Sequence, residues 1–324
     1  MTVVAELRRV QVQLGTGQRA VAVLHGIDLE VRAGEILGVV GESGAGTSSL
    51  ARSLLRLVAP SFGQVRFGPD DITTWPERRV RKLRGQMTMV FRNPHTVLNP
   101  RMTVRTLLEE PLLLHDRMAR IDRRRAAEAL AEAVRLQPRE LDCRPGELTT
   151  ARLQLVCLAR AMATQPRMIV LDEPTAELDV AAAADLLDLL ATLRRERNTA
   201  IVLITNDIAK LRPVADRIAV LYLGQIVEMG PADEMLRDPL HPYTQALLSA
   251  HLTADPTQRG RRIRLRGESP PPQERPPGCG FAPRCPLVET RCRTGAPASN
   301  QVGPNRTVAC VRVLEGTSRI PLSR

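Results

Sequence analysis

Apolar and polar positions follow two different periods along the first sixty residues, and each period predicts a different element. VAELRRVQVQL (4–14) alternates apolar and polar residues imperfectly, which predicts a first strand. AVLHGIDLEVRAGEILGVVGE (22–42) predicts two more strands, and the second of them runs into a glycine-rich turn. TSSLARSLLRLV (47–58) has apolar residues at helical spacing. The amino-terminal part of the chain therefore reads strand, strand, strand, glycine turn, helix.

Helical and fully apolar segments alternate through the middle of the chain. Residues 102–142 are largely helical in composition, and ELTTARLQLVCLARAMA (147–163) predicts a helix with Thr149 or Thr150 as its N-cap. RMIVLDEP (167–174) and AIVLITND (200–207) are typical of buried strands, and the segment between them predicts a helix over 181–198. Apolar strands that alternate with helices predict an α/β fold whose mostly parallel sheet is covered on both faces.

Composition separates the last quarter of the chain from the rest. Residues 251–324 contain 13 Arg against 5 Asp plus Glu, so they carry +8 of the formal net charge of +11, and they include the proline-rich run GESPPPQERPPG (267–278). We therefore expect a boundary near residue 250. The start of the chain has no apolar core of the signal-peptide kind, and no run approaches the roughly 18 apolar residues that span a membrane. These features predict a cytosolic chain whose six cysteines are not paired in disulfides.

The glycine-rich turn is nearly a phosphate-binding loop. In the pattern G-x-x-x-x-G-K-[ST], Gly41, Gly46 and Ser48 fall in place, but Thr47 stands where lysine is expected. Backbone N–H groups at a helix N-terminus can cradle phosphate without a side chain, and Ser48 would offer a hydroxyl to Mg²⁺. The alternative is a tight strand-to-helix turn with no ligand. The candidate nucleotide-binding residues are Gly41, Glu42, Ser43, Gly44, Ala45, Gly46, Thr47, Ser48 and Ser49.

A second candidate lies at the end of the strand in RMIVLDEP. Asp172 would present a carboxylate to Mg²⁺, and Glu173 beside it would orient or deprotonate an attacking water. Acidic residues at a strand end are often only helix caps. The two motifs together, each in its proper local context, favour phosphoryl-transfer chemistry over a role of the acidic residues as helix caps alone.

With both motifs in view, the chain resembles the ATP-binding subunits of ABC transporters, in the dipeptide/oligopeptide (and nickel) importer branch. The resemblance extends over nearly the whole chain and rests on GESGAGTSSL, MVFRNPHTVLNPRMTV, EEPLLLH, LARAM, LDEPTAELDV, VLYLGQIVEMGP and HPYTQALLSA. It implies a P-loop ABC ATPase core, with a mixed sheet flanked by helices, over 1–93 and 160–250. It also implies a helical signature subdomain over 94–159 and a carboxy-terminal extension with four cysteines over 251–324.

The same resemblance implies partners, cofactors and a location. The chain would bind ATP and Mg²⁺ at the cytoplasmic face of the cell membrane as a peripheral subunit. It would pair with a paralogous ATP-binding subunit and with two permease chains, which the region from Arg92 to Val104 would dock. A substrate-binding protein would act with it indirectly. Asp179 would be the residue of the family's D-loop.

Several positions depart from the family pattern. Thr47 replaces the P-loop lysine, Arg92 replaces a glutamine that reaches the metal and the attacking water, and Asn206 replaces a histidine that contacts the γ-phosphate. No aromatic residue precedes Phe62, although the adenine-stacking aromatic is expected near Leu14. The signature L-S-G-G-Q is represented by Leu148, Thr149, Thr150, Ala151 and Arg152.

These departures predict weak or absent intrinsic ATP hydrolysis. Thr47 is neutral and too short to reach the phosphates. Arg92 has only donors, so it cannot ligate Mg²⁺ or accept a hydrogen bond from water, although it could contact phosphate and supply part of the missing charge. The side chains of Thr150 and Ala151 add bulk where Gly-Gly would allow close backbone approach to the partner's nucleotide. Glu173, Asn206 and Arg92 are the candidate catalytic positions.

The carboxy-terminal cysteines are the remaining candidate site. Cys279, Cys285, Cys292 and Cys310 are separated by 5, 6 and 17 residues, a spacing without any C-x-x-C pair. Four thiolates suit Zn²⁺ or an iron–sulfur cluster, and the resemblance adds a 4Fe–4S cluster found in some members. The alternative is four reduced, partly buried thiols.

Two other functions compete with transport. A non-hydrolytic regulatory or scaffold protein would sense ATP or a metal without consuming it. Nucleic-acid binding rests on charge alone, because aromatic residues do not interleave with the arginines, and we therefore expect no nucleic-acid partner. The transported solute is not encoded in this chain if selectivity resides in other subunits.

Overall fold

The computed structural model describes residues 2–15, 17, 20–115, 118–250 and 263–320. Its strands are β1 (Val3–Leu14), β2 (Val21–Arg32), β3 (Ile36–Val40), β4 (Phe62–Phe67), β5 (Asp70–Asp71), β6 (Met87–Val90), β7 (Met168–Asp172), β8 (Ala200–Thr205), β9 (Arg217–Tyr222), β10 (Gln225–Pro231), β11 (Asn300–Gly303) and β12 (Arg306–Val308). Its α-helices are α1 (Thr47–Leu54), α2 (Glu77–Val80), α3 (Pro94–Val97), α4 (Val104–His115), α5 (Arg120–Ala133), α6 (Thr150–Met162), α7 (Val180–Arg197), α8 (Ala232–Arg237), α9 (Pro242–Ala250) and α10 (Thr290–Thr294).

The chain divides into two compact units. Unit 1 comprises residues 1–5, 31–36 and 67–204, and unit 2 comprises residues 6–30, 37–66 and 205–324. In unit 1, β6, β7 and β8 are parallel neighbours, with Met168 of β7 opposite Met87 on one side and Ala200 on the other. Every residue of β7 and β8 is buried, as expected for strands of a parallel sheet that helices cover on both faces.

Helices α4, α5 and α6 pack against one another in unit 1 and bury their apolar faces. Leu107, Leu130 and Leu153 are among the residues with at most 6% exposure there. The predicted cap of α6 is confirmed at Thr149, whose Oγ1 accepts a hydrogen bond from the Arg152 N–H at 3.4 Å. This cap fixes the start of the helix within the LTTAR segment.

Unit 2 combines parallel and antiparallel pairing. β3 runs parallel to β9, with Val39 opposite Ala219, whereas β10 is antiparallel to both β9 and β12. A mixed arrangement therefore replaces a purely parallel one in this unit. The predicted strand–turn–helix order is confirmed, because β3 is followed by a glycine turn and then by α1.

The carboxy-terminal segment of unit 2 is anchored by a buried ion pair. Glu228 of β10 is fully buried, and its Oε1 lies 2.7 Å from Nη2 of Arg306 in β12. The two carboxylate oxygens of Glu228 also accept the backbone N–H groups of Leu240 and His241 at 3.0 and 2.9 Å. The proline-rich run predicted as an extended meander contains one short 3₁₀ turn, Pro272–Glu274. Among the described helices, none combines the length and the apolar character that crossing a bilayer requires.

Candidate functional site

The backbone of the glycine-rich loop in unit 2 is held close to neighbouring strands. Gly46 is the N-cap of α1 in the left-handed region (φ 100°), so the N-cap residue itself has no side chain to cap the helix. A Cβ on Gly46 would lie 2.9 Å from the Val23 carbonyl oxygen, and one on Gly41 would lie 2.6 Å from the Leu221 carbonyl oxygen. Only glycine fits at these two positions, as the tight turn of a phosphate-binding loop requires.

Glu42 is the only charged residue between Gly41 and Ser49. Its carboxylate accepts two hydrogen bonds from Arg284, Nη1 to Oε2 at 2.6 Å and Nη2 to Oε1 at 3.2 Å. Its backbone N–H donates to the Tyr243 hydroxyl at 3.0 Å. The sequence motifs predicted the loop but not these two partners, which lie some 200 residues or more further along the chain.

In unit 1, Arg92 and Glu173 are brought together. Nη1 of Arg92 lies 3.3 Å from Oε2 of Glu173, an ion pair in which 61% of the arginine side chain and 19% of the glutamate side chain are exposed. Glu173 follows β7 in the left-handed region (φ 49°), and its N–H donates to the Ile204 carbonyl at 3.0 Å. Within the described residues Oε2 of Glu173 has no hydrogen bond, so the contact with Arg92 is one of charge without hydrogen-bond alignment. Asp172 immediately before it is the buried last residue of β7.

The residues that represent the signature make contacts inside unit 1. Oγ1 of Thr150 lies 3.3 Å from Nε2 of His95. Arg152 donates through Nε to Glu140 at 2.6 Å and through Nη2 to the Arg135 carbonyl at 2.9 Å. Hydrogen bonding by Arg152 keeps the pKa of the Glu140 carboxyl below its usual value. Arg152 is therefore committed to an intramolecular ion pair.

The other predicted positions are placed as follows. Asp179 is the N-cap of α7, with its Oδ1 accepting the Ala182 N–H at 2.8 Å. Asn206 is exposed directly after β8, and Leu14 is 41% exposed at the end of β1.

The four carboxy-terminal cysteines of unit 2 line one small cavity of about 20 Å³. Phe281, Leu287 and His241 complete part of its wall. Burial raises the pKa of the Cys285 thiol to about 11 and also raises the pKa of Cys279 and Cys310. Within the described ranges, no three His, Cys, Asp or Glu side chains converge closely enough to form a metal-ligand group. The four cysteines therefore line the same cavity, but they do not form a group that could hold a metal as they stand.

Two family models match the chain. The ABC transporter family matches residues 24–176, and the oligopeptide/dipeptide transporter C-terminal region matches residues 227–292. The first range contains the glycine loop and the Asp172–Glu173 pair. The second contains Tyr243, Arg284 and three of the four carboxy-terminal cysteines.

Proteins that are similar to this chain are named as ATP-binding proteins of peptide transport. The di/tripeptide transport ATP-binding protein DppF of Pseudomonas aeruginosa is 40% identical over 91% of this chain and 91% of its own length. The oligopeptide transport ATP-binding protein AppF of Bacillus subtilis is 36% identical over 95% of this chain and 96% of its own. Among solved structures, the dimeric ATP-binding cassette MJ0796 bound to ADP and Pi superimposes with a TM-score of 0.65 at 26% identity, covering 70% of this chain and 98% of that one. The chain belongs to the ATP-binding proteins of the oligopeptide/dipeptide ABC transporter family.

Proposed function

We propose that this chain binds Mg²⁺–ATP but hydrolyses it weakly or not at all by itself, and that it energises peptide transport together with a competent paralogous ATPase subunit. The observation that carries the proposal is the ion pair between Arg92 and Glu173. Glu173 is the carboxylate that would activate water, and the guanidinium of Arg92 lies against one of the two oxygens that would have to contact that water.

Nucleotide binding is supported by the backbone of the glycine loop. Neighbouring carbonyls leave no room for a side chain at Gly41 and Gly46, and the loop leads directly into the start of α1, where N–H groups can bind phosphate. Ser48 and Asp172 are the proposed Mg²⁺ ligands. Thr47 cannot provide the charge of the usual lysine, and the loss of one such preorganised donor lowers rates by about 10²–10³-fold.

The proposed dependence on a partner follows from the signature residues. If Leu148–Arg152 faces the nucleotide of a second subunit, Thr150 and Ala151 replace the glycines that allow close approach there. A homodimer would then be weak at both composite sites, whereas a heterodimer would be weakened but not silent. In this proposal the chain lies at the cytoplasmic face of the membrane, where residues 92–104 dock two permease subunits and a substrate-binding protein delivers the peptide.

The four cysteines are proposed to hold Zn²⁺ or a 4Fe–4S cluster. Four thiols that line one cavity are a suitable donor set for either group, although in the described residues they do not form a metal-ligand group as they stand. When bound, the metal group would tie together the segments around Cys279, Cys292 and Cys310. The residues that would hold it are Cys279, Cys285, Cys292 and Cys310.

Calorimetry of the purified chain with Mg²⁺–ATP tests the proposal, with Thr47→Lys as the matched variant. We expect binding by the parent chain at about millimolar affinity or tighter, and tighter binding by Thr47→Lys because the lysine adds a charge-assisted contact. A folded parent chain that binds no nucleotide would refute the proposal. A chain that binds ATP but does not stimulate transport by the partner subunit and permeases would favour the alternative, a nucleotide- or metal-sensing regulatory subunit.

A further inference from the structure

We propose that Arg284, together with Tyr243, positions the phosphate-binding loop, so that the carboxy-terminal part of unit 2 completes the nucleotide site. The inference rests on the proposed binding of nucleotide at this loop. It concerns residues far from the loop in sequence, and it assigns a role to a contact that neither the glycine motif nor the Asp172–Glu173 pair explains.

Charge is the first argument. Glu42 carries the only formal charge between Gly41 and Ser49, and this charge is negative. A triphosphate bound at the same loop would be repelled by that carboxylate, since Thr47 offers no positive side chain to offset it. Arg284 is the countercharge, because both of its terminal nitrogens bond to the two carboxylate oxygens of Glu42. Two hydrogen bonds between one guanidinium and one carboxylate fix the orientation of the Glu42 side chain as well as offsetting its charge.

Burial is the second argument. Only 9% of the Arg284 side chain is exposed, against 31% for Glu42. Burial acts to lower the pKa of Arg284, but the hydrogen bonds and the charge of Glu42 outweigh it, so the pKa is raised and the guanidinium stays charged. A partly buried charged pair that loses one member leaves the other poorly solvated. Loss of Arg284 would therefore disturb Glu42, which is part of the loop itself.

The third argument is that Tyr243, which supports the loop, is buried in a cluster of aromatic rings. Tyr243, which accepts the Glu42 N–H, is fully buried and packs against Tyr222 and Phe281 with ring centroids 4.6 and 5.4 Å away. Further along the loop, the Ala45 carbonyl accepts the Gly224 N–H at 2.8 Å. Hydrogen bonds thus hold the loop at Glu42 and at Ala45. The bonds at Glu42 come from the segments that contain Tyr243 and Arg284.

Calorimetry of the full chain with Mg²⁺–ATP can separate charge from general stability. The variants are Arg284→Gln, Arg284→Lys, the double variant Glu42→Gln/Arg284→Gln, and Arg319→Gln as a control. Arg319 is 78% exposed and pairs with Asp238 at the surface. We expect Arg284→Gln to weaken binding roughly tenfold, with a smaller loss at high salt, because the freed carboxylate repels the phosphates. Arg284→Lys and the double variant should recover part of the affinity, and Arg319→Gln should behave as the parent.

The inference is overturned if Arg284→Gln binds as tightly as Arg319→Gln, or if removal of the Glu42 charge in the double variant recovers nothing. Amide hydrogen exchange without nucleotide provides an independent test. Exchange in the peptide that spans residues 41–50 should be faster in Arg284→Gln and in Tyr243→Phe than in the parent, and equal exchange would overturn the inference. A parent chain that binds no Mg²⁺–ATP would instead refute the proposed function, and the exchange experiment alone would then decide whether Arg284 positions the loop.

Discussion

Replacing Arg92 by glutamine should release Glu173 from its ion pair. At the 3.3 Å separation of Nη1 and Oε2, Coulomb's law gives about 1 kcal/mol in water and about 5 kcal/mol at an effective dielectric constant of 20. Because 61% of the Arg92 side chain is exposed, we take the lower value, about 1 kcal/mol, as for other exposed pairs. That energy corresponds to roughly a fivefold difference in an equilibrium or a rate.

The assay is single-turnover release of phosphate from Mg²⁺–ATP in a Thr47→Lys background, where binding is strengthened. We expect Thr47→Lys/Arg92→Gln to hydrolyse ATP at least about fivefold faster than Thr47→Lys, because glutamine both frees the carboxylate and can accept a hydrogen bond from water. Arg92→Lys in the same background retains the charge and should show no gain. Equal rates for the glutamine and lysine variants would refute the reasoning that the charge of Arg92 restrains Glu173.

Three further predictions concern stability and metal binding. Burial, with a further contribution from Arg275, lowers the pKa of His25 to about 4. Because the unfolded chain then binds more protons than the folded one, the free energy of unfolding falls as the pH drops from about 6.5 towards 4. His25→Gln should recover roughly 1 kcal/mol of it at pH 5 in denaturant titrations, after allowance for the partial exposure of His25. Arg306→Ala strands the buried charge of Glu228 and should cost about 3–5 kcal/mol of unfolding free energy, measured by urea titration; a loss under 1 kcal/mol would contradict the account of that pair. Loading with Zn²⁺ or iron should raise the melting temperature of the parent and of Cys143→Ser, because Cys143 lies outside the cavity. Cys279→Ser should show no such rise and should bind less metal, as measured by elemental analysis.

Local sequence patterns predicted the elements that carry the candidate site. The apolar run before Gly41 and the helical spacing after Thr47 identify β3 and α1, and the apolar run before Asp172 identifies β7. Each of these elements is determined by residues within about one turn or one strand of the motif, so a periodicity argument suffices. The N-cap at Thr149 was predictable for the same reason.

The pairings across the chain were not predictable. Nothing near Arg92 in sequence indicates that its guanidinium lies beside Glu173, and the bond between Arg284 and Glu42 joins residues 242 positions apart. Such contacts depend on tertiary structure, which a local pattern does not contain. The antiparallel pairing of β10 with β12 is a further example, because Glu228 and its partner Val308 come from distant segments.

The cysteines illustrate a case in between. Their irregular spacing was a weak indication of a metal site, since it lacks any C-x-x-C pair. The fold brings Cys279, Cys285, Cys292 and Cys310 around one cavity, but within the described residues they do not form a metal-ligand group. The spacing of the cysteines could not distinguish residues that only line a cavity from residues that converge as metal ligands. Both arrangements require only that the chain returns to the same region.

The most direct test of weak hydrolysis is the ATPase rate of a restored chain. The variant carries Thr47→Lys, Arg92→Gln, Thr150→Gly, Ala151→Gly and Asn206→His, and its turnover of Mg²⁺–ATP is compared with that of the parent at saturating nucleotide, after circular dichroism has shown both to be folded. We predict an increase of at least about 10²-fold, because these positions supply phosphate contacts and water activation that the parent lacks. A parent chain that already turns over ATP as fast as the restored variant would contradict the account.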